Sequence, residues 1–214
     1  SHVRIFPRPL TEGMLAYERW LNGLYTAADV RRDAFIECPL AHPTWLLRRE
    51  VLQRHPYRDR GWPEDYDLLL RLLAAGEQLG VVPRRLLCWR DEPQRTSRVD
   101  ERYALARFTA CRAHFLAQQL PPGDYILWGY GDTGKALRRA LAEHGRQPHV
   151  IVEVHPGRIG QRIDGVAVIA PHELSAHRGR HLLVSVAGAP ARAEIRAQLV
   201  ADDWVEGRDY TVCA

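Results

Sequence analysis

No run of apolar residues approaches the roughly 20 that a bilayer-spanning helix needs. The opening Ser1-His2-Val3-Arg4-Ile5-Phe6-Pro7 has neither the apolar stretch nor the cleavage site of a secretory signal. Methionine is nearly absent: the single one is Met14. Ser1-His2 therefore reads as a tag remnant, and the chain as an excised piece of a longer protein. Cysteine is sparse and scattered. Cys38, Cys88, Cys111 and Cys213 make no C-x-x-C pair, which argues against zinc or a disulfide framework and for reduced thiols in a cytoplasmic protein. Lysine is almost missing, with Lys135 the single one among 30 basic residues, so the net charge of +4 is carried by arginine. No dense basic stripe with interleaved aromatics occurs, and no nucleic-acid partner is expected. A modest arginine excess suits phosphate-bearing ligands or an anionic membrane surface.

What is present is ordinary globular material. Hydrophobic residues make up 46% and charged residues 26% of 214, enough for one large core or two small ones. The two halves differ in rhythm. From Thr11 to Gln119 the pattern is mostly helical: Met14, Tyr17, Leu21, Leu24 and Tyr25 recur on one face, Pro43 to Arg54 predicts a short helix, and Tyr66 to Ala75 an apolar one closed by Gly76. Val81-Val82 and Leu86 to Trp89 are short strand candidates, and Val99 to Gln119 predicts a long helix. Leu120-Pro121-Pro122-Gly123 then marks a linker. Beyond it, strands at 125–128, 149–154, 166–169, 181–187 and 210–213 alternate with helices at 134–144 and 189–199, which specifies a parallel sheet. The expected architecture is α/β, with domains over 1–119 and 124–214.

Gly129-Tyr130-Gly131-Asp132-Thr133-Gly134 is a G-x-G-x-x-G loop set between an apolar strand and a helix. That context suits phosphate binding: the first glycine allows a tight turn, the second a close backbone approach, and the third helix–strand packing at a positive helix end. Glu153, about 20 residues on, is either a ribose-hydroxyl acceptor or a solvated strand-end carboxylate. With Val152-Glu153-Val154, Arg158-Ile159-Gly160 and Asp164 to Ile169, the region resembles small Rossmann-like modules of bacterial polysaccharide biosynthesis. These include the nucleotide-sugar-binding amino-terminal domain of sugar acetyltransferases. The resemblance implies a bound nucleotide or a pocket now used for packing. No Tyr-x-x-x-Lys pair follows, so hydride transfer is not expected.

Trp62-Pro63-Glu64-Asp65-Tyr66-Asp67 can be read as simple helix capping, with proline and acids in the first turn. Together with His42-Pro43-Thr44-Trp45, Trp89-Arg90 and Arg95-Thr96-Ser97-Arg98, however, it resembles the second half of an inverting family-2 glycosyltransferase domain of the GT-A type, over roughly residues 10–117. The resemblance implies Asp65 as general base with Glu64 beside it. Arg90, Arg95 and Arg98 on a proline-containing loop would face the diphosphate, unless they form a solvated basic loop. His42 is either a ligand contact or a turn histidine. The resemblance also implies a nucleotide-sugar donor, a surface-glycan acceptor and a site in the cytoplasm, with peripheral contact to the inner membrane as a further expectation. The divalent metal (Mg or Mn) of such an enzyme would be held by an upstream Asp-x-Asp motif outside this chain. Asp65-Tyr66-Asp67 starts a helix and is not read as a metal site. The chain alone is expected to be inactive, and its uncovered sheet edges predict a homo-oligomer.

Overall fold

A computed structural model describes residues 1–214. The protein is mixed α/β and divides into two compact units, residues 1–111 and 112–214. Leu120 to Gly123 does end a helix, but the boundary lies earlier, because the last turns of that helix already pack with the second unit.

In the first unit β1 (His2–Phe6) and β2 (Arg85–Arg90) pair in parallel. Val3 and Ile5 are buried with Leu21 and Ala41 in a cluster that includes Met14, Tyr17, Trp20, Leu87 and Trp89. β1 has no counterpart in the expectations above. Its start is built in: the His2 ring lies 2.9 Å from the Leu24 carbonyl, and the Ser1 ammonium donates to Thr44 Oγ1 at 3.0 Å. Ser1-His2 is therefore part of the fold rather than a loose appendage. The helix α1 (Glu12–Leu21) is capped by the Thr11 hydroxyl and stops short of Tyr25. It stops because Asn22 turns to β1, its carboxamide bonding both the N–H and the C=O of Val3 at 2.9 Å. Glu18 accepts the Ile5 N–H. Glu18 of α1 and Asn22 just beyond it thus satisfy the outer edge of β1.

The rest of the first unit is helical. α2 (Ala27–Asp33), also unanticipated, is opened by a reciprocal Thr26–Asp29 capping box. Instead of one helix over 43–54 there is a 3₁₀ turn at His42–Thr44 and then α3 (Arg49–Arg54). α4 (Glu64–Ala74) buries Tyr66, Leu68, Leu69, Leu70, Leu72 and Leu73. It closes with Gly76 at φ 81°, where Gly76 N–H bonds Leu73 O and Glu77 N–H bonds Leu72 O. Val81-Val82 forms no strand. The expected long helix over 99–119 is divided into α5 (Thr96–Val99), a turn at Glu101–Tyr103 and α6 (Leu105–Gln119). The break is at Asp100, whose side chain accepts the Arg102 N–H and so competes with helix continuation.

The second unit holds β3 (Tyr125–Trp128), α7 (Asp132–Ala142), β4 (Pro148–Val152), β5 (Arg162–Ile163), β6 (Val166–Ile169), β7 (Leu182–Val184), α8 (Ala189–Ala201) and β8 (Tyr210–Val212). The sheet order is β5-β6-β4-β3-β7-β8, parallel except at the short edge strand β5. Chain order reverses between the neighbours β3 and β7, and α7 and α8 start beyond their carboxyl ends. Arg146 clamps the exit of α6, donating to the carbonyls of Ala117, Leu120, Pro121 and Gly123.

A Cβ at Gly134 would collide with the Gly129 carbonyl, so Gly134→Ala should cost about 2 kcal/mol or more in chemical denaturation. Burial lowers the pKa of His177 and of His181, whose ring bonds Thr211 Oγ1. The unfolded chain takes up these protons first, so stability is complete above about pH 6.5 and declines as pH falls below it. Thermal unfolding of His181→Gln should show a weaker pH dependence than the parent chain over that range.

Candidate active site

A cavity of about 730 Å³ opens in the first unit. Four stretches build it: Met14 and Tyr17 of α1, the segment Glu37 to Pro43, the mouth of α4 with Glu64 and Asp65, and the chain leaving β2 from Trp89 through Arg98. Tyr103 and Phe108 complete the wall.

Asp65 is in this cavity because of how α4 begins. Its neighbours Tyr66 and Asp67 are buried. The Tyr66 hydroxyl donates to Ala34 O at 2.8 Å, and Asp67 is held by Trp62 Nε1 at 3.1 Å and Arg71 Nε at 2.7 Å. With the two following side chains fixed inward, Asp65 is left on the cavity side beside Glu64, its side chain 14% exposed. One oxygen accepts the Tyr66 backbone N–H, and the other lies 3.7 Å from His42 Nδ1. Burial raises its pKa above the usual carboxylate value; Glu64 adds to the effect and His42 opposes it.

Glu64 accepts the Tyr103 hydroxyl at 2.8 Å through Oε1, while its Oε2 is buried without a hydrogen-bond partner. Burial, then the charges of Asp65 and Glu64, push the Tyr103 phenol well above its ordinary range. His42 occupies a turn, and its Nε2 is 2.7 Å from the Tyr57 hydroxyl. It lines the cavity while engaged by protein groups on both ring nitrogens.

The three arginines do not act together. Arg95 and Arg98 line the cavity and converge on Asp91, at 3.1 and 2.6 Å. The Arg98 hydrogen bond first, and Arg95 after it, hold Asp91 below the usual carboxylate range. Arg95 also stacks over Trp89, 4.3 Å from the ring centre. Arg90 corrects the expectation: it points away, over the Phe6 ring and toward Glu92 at 3.1 Å, and lines no part of the cavity. Strand alternation is the reason, because Trp89 faces inward and its neighbour must face out. The cavity residues Tyr17, Cys38, Trp89, Asp91 and Tyr103 were not singled out as site residues from the sequence. For Asp91 a signal existed in the acid followed by arginines four and seven residues later.

No group of three or more His, Cys, Asp or Glu side chains is placed to hold a metal ion. The four thiols are free, with Cys38, Cys111 and Cys213 buried and Cys88 exposed. Burial pushes the Cys213 thiol up to about 12.

In the second unit the glycine loop crosses from β3 into α7. Gly129 has φ 95°, and a side chain there would strike Val186. Space beside Gly131 is open, and Asp132 and Thr133 form the first turn of α7. Glu153 departs from its expected part as a free acceptor. Its carboxylate accepts the Tyr130 N–H at 2.7 Å and lies 3.6 Å from Arg158. Arg158 also donates to Tyr130 O, and Arg138 joins the Tyr130 hydroxyl to Asp164. The chain matches no protein-family model and no curated protein.

Because the ionised form of Asp65 is disfavoured by folding, its cost is full above the folded pKa and absent below the unfolded value of about 3.9. Asp65→Asn should therefore raise the thermal midpoint near neutral pH, with the gain shrinking as pH falls toward that value.

Proposed function

We propose that residues 10–117 are the acceptor-side half of an inverting GT-A glycosyltransferase domain, with Asp65 as general base. The observation carrying this reading is Asp65 itself: a carboxylate at an open cavity wall, with raised proton affinity and the two residues after it locked inward. In the reaction an acceptor hydroxyl bonds to the anomeric carbon of a nucleotide sugar. The bond from that carbon to the diphosphate oxygen breaks, and the leaving group keeps the electron pair. The hydroxyl proton passes to Asp65, and configuration inverts. A base is most effective when its pKa is drawn toward the working pH, which burial does here. Glu64 lines the cavity beside Asp65, and the aromatic side chains of Trp89 and Tyr103 line it as well, where a sugar could stack. Arg95 and Arg98 present positive charge tempered by Asp91.

The divalent cation of such enzymes neutralises the diphosphate; this chain's side chains do not form a set that would hold it. On this reading the chain alone performs no transfer. The partners are a nucleotide sugar and a surface glycan, met at the cytoplasmic side of the inner membrane. No helix here is long and apolar enough to cross a membrane. The second unit is, on the same reading, a Rossmann-like module. A second reading, of a nucleotide or nucleotide-sugar binding module with a helical scaffold, is favoured by the open space at Gly131 beside the start of α7.

Nuclear magnetic resonance titration of the 214-residue chain separates the two. A panel of oligosaccharides should shift the Trp89 indole and Tyr103 signals, and Trp89→Ala should weaken binding by about tenfold, as loss of an aromatic contact of 1–1.5 kcal/mol implies. No shift at the cavity with any saccharide, or sugar transfer by the chain alone, overturns the first reading. Uridine diphosphate shifting Gly131 to Gly134 instead supports the second.

A further inference from the structure

The Tyr66 N–H holds one oxygen of Asp65 at 2.7 Å, and Oδ2 faces His42, with Nδ1 3.7 Å away. That contact is electrostatic, about half an ångström longer than a good hydrogen bond. The form of the ring that Asp65 meets depends on the other nitrogen. Nε2 lies 2.7 Å from the Tyr57 hydroxyl. Burial, then the charges of Asp65 and Glu64, push the Tyr57 phenol up, so it stays protonated. A hydroxyl can donate to Nε2 or accept from it. When it donates, the ring's proton is on Nδ1 and the N–H faces the carboxylate. When it accepts from a neutral ring, an Nδ1 lone pair faces the carboxylate, which is repulsive. The imidazolium also presents an Nδ1–H. Asp65 thus favours each form with a proton on Nδ1, and the Tyr57 hydroxyl can partner either of them.

The surrounding contacts hold this arrangement. The His42 ring packs against those of Trp45 and Tyr57, at 4.9 and 5.6 Å between centres. Tyr57 is fastened to α4 through its neighbour, because Arg71, paired with Asp67, donates to the Pro56 carbonyl at 2.8 Å. The helix that presents Asp65 therefore also places the hydroxyl facing His42. The remaining neighbours offer Asp65 no comparable help. Tyr17, Cys38 and Tyr103, which feel its charge, are kept neutral chiefly by burial. Glu37 bears on Tyr17 and Cys38, and the charge of Glu64 raises the proton affinity of Asp65. His42 alone among these side chains opposes that rise.

We propose that Tyr57 is a positioning residue for the general base: its hydroxyl, acting through His42, keeps an Nδ1–H facing Asp65 Oδ2. The role rests on the reading of Asp65 as base. Tyr57 does not line the cavity, so it acts through His42 rather than on a substrate. The Nδ1–H engages one lone pair of Oδ2 and leaves the other for the hydroxyl that surrenders its proton.

Long-range proton–nitrogen correlation spectra of the intact chain, at about pH 8 where an ordinary imidazole is neutral, report which nitrogen of His42 carries the proton. Free histidine prefers Nε2–H, so a dominant Nδ1–H form is the informative result, and it is the one expected. Tyr57→Phe keeps the packed ring and removes only the hydroxyl. It should move His42 toward Nε2–H. It should also raise the midpoint of the Asp65 carboxyl, followed by its carbon signal, by about half a pH unit, a roughly threefold gain in proton affinity from weakening one bond to a charged group. A filler of space alone would leave that midpoint in place when its ring is kept. An Nε2–H ring in the parent chain overturns the proposal, as does an Asp65 midpoint indifferent to Tyr57→Phe. Neither spectrum needs a saccharide. Sugar shifts at Trp89 without this coupling sink the role of Tyr57 alone, and coupling without any sugar shift sinks the transferase reading alone.

Discussion

The first unit depends on the anchoring of α4 at its amino-terminal end. Three contacts fix that end in place: the Tyr66 hydroxyl to the Ala34 carbonyl, the Trp62 indole to Asp67, and Arg71, which is paired with Asp67 one turn away and donates to the Pro56 carbonyl. The far end is locked by the glycine closure after Ala75. Between these two ends the helix is apolar on nearly every side and cannot rotate without exposing leucines. Asp65 is therefore not free to seek water. The helix end offers partial positive charge and the Tyr66 amide a hydrogen bond, which together offset part of the desolvation. The carboxylate stays, with its proton affinity raised.

Burial is the largest cause of the raised phenols of Tyr17, Tyr57 and Tyr103, and the charge of Asp65 contributes in each. Arg95 lies close enough to Tyr17 to oppose the rise there. Arg95 and Arg98 line the same cavity and both bond Asp91. Asp91 fixes both guanidinium groups in direction while cancelling one of the two charges.

The second unit was legible in its sequence almost strand by strand, because β3, β4 and β6 are short apolar runs punctuated by glycine and turn residues. In the first unit the local signals were weaker. The polar stretch Ala27 to Asp33 carries little apolar periodicity, and its clearest mark was the Thr26–Asp29 capping box. His2 to Phe6 alternates like a strand, yet its partner lies some 80 residues away in β2. The candidate base could be named from its motif. Its surroundings could not, since Tyr17, Trp89 and Tyr103 reach the cavity from separate elements. Glu153 illustrates the same limit. Its position after β4 was readable, but its hydrogen bond to the Tyr130 amide arises only from the way the loop folds back.

That bond gives the glycine loop an anion of its own. A carboxylate tethered beside a donor competes with any incoming group at an effective concentration in the millimolar range or higher. Inorganic phosphate or chloride, which offer little beyond charge, would have to displace Glu153 and leave it facing Arg158 alone. The loop therefore meets its anion within the chain: the Tyr130 amide is committed to Glu153, while the space beside Gly131 stays open.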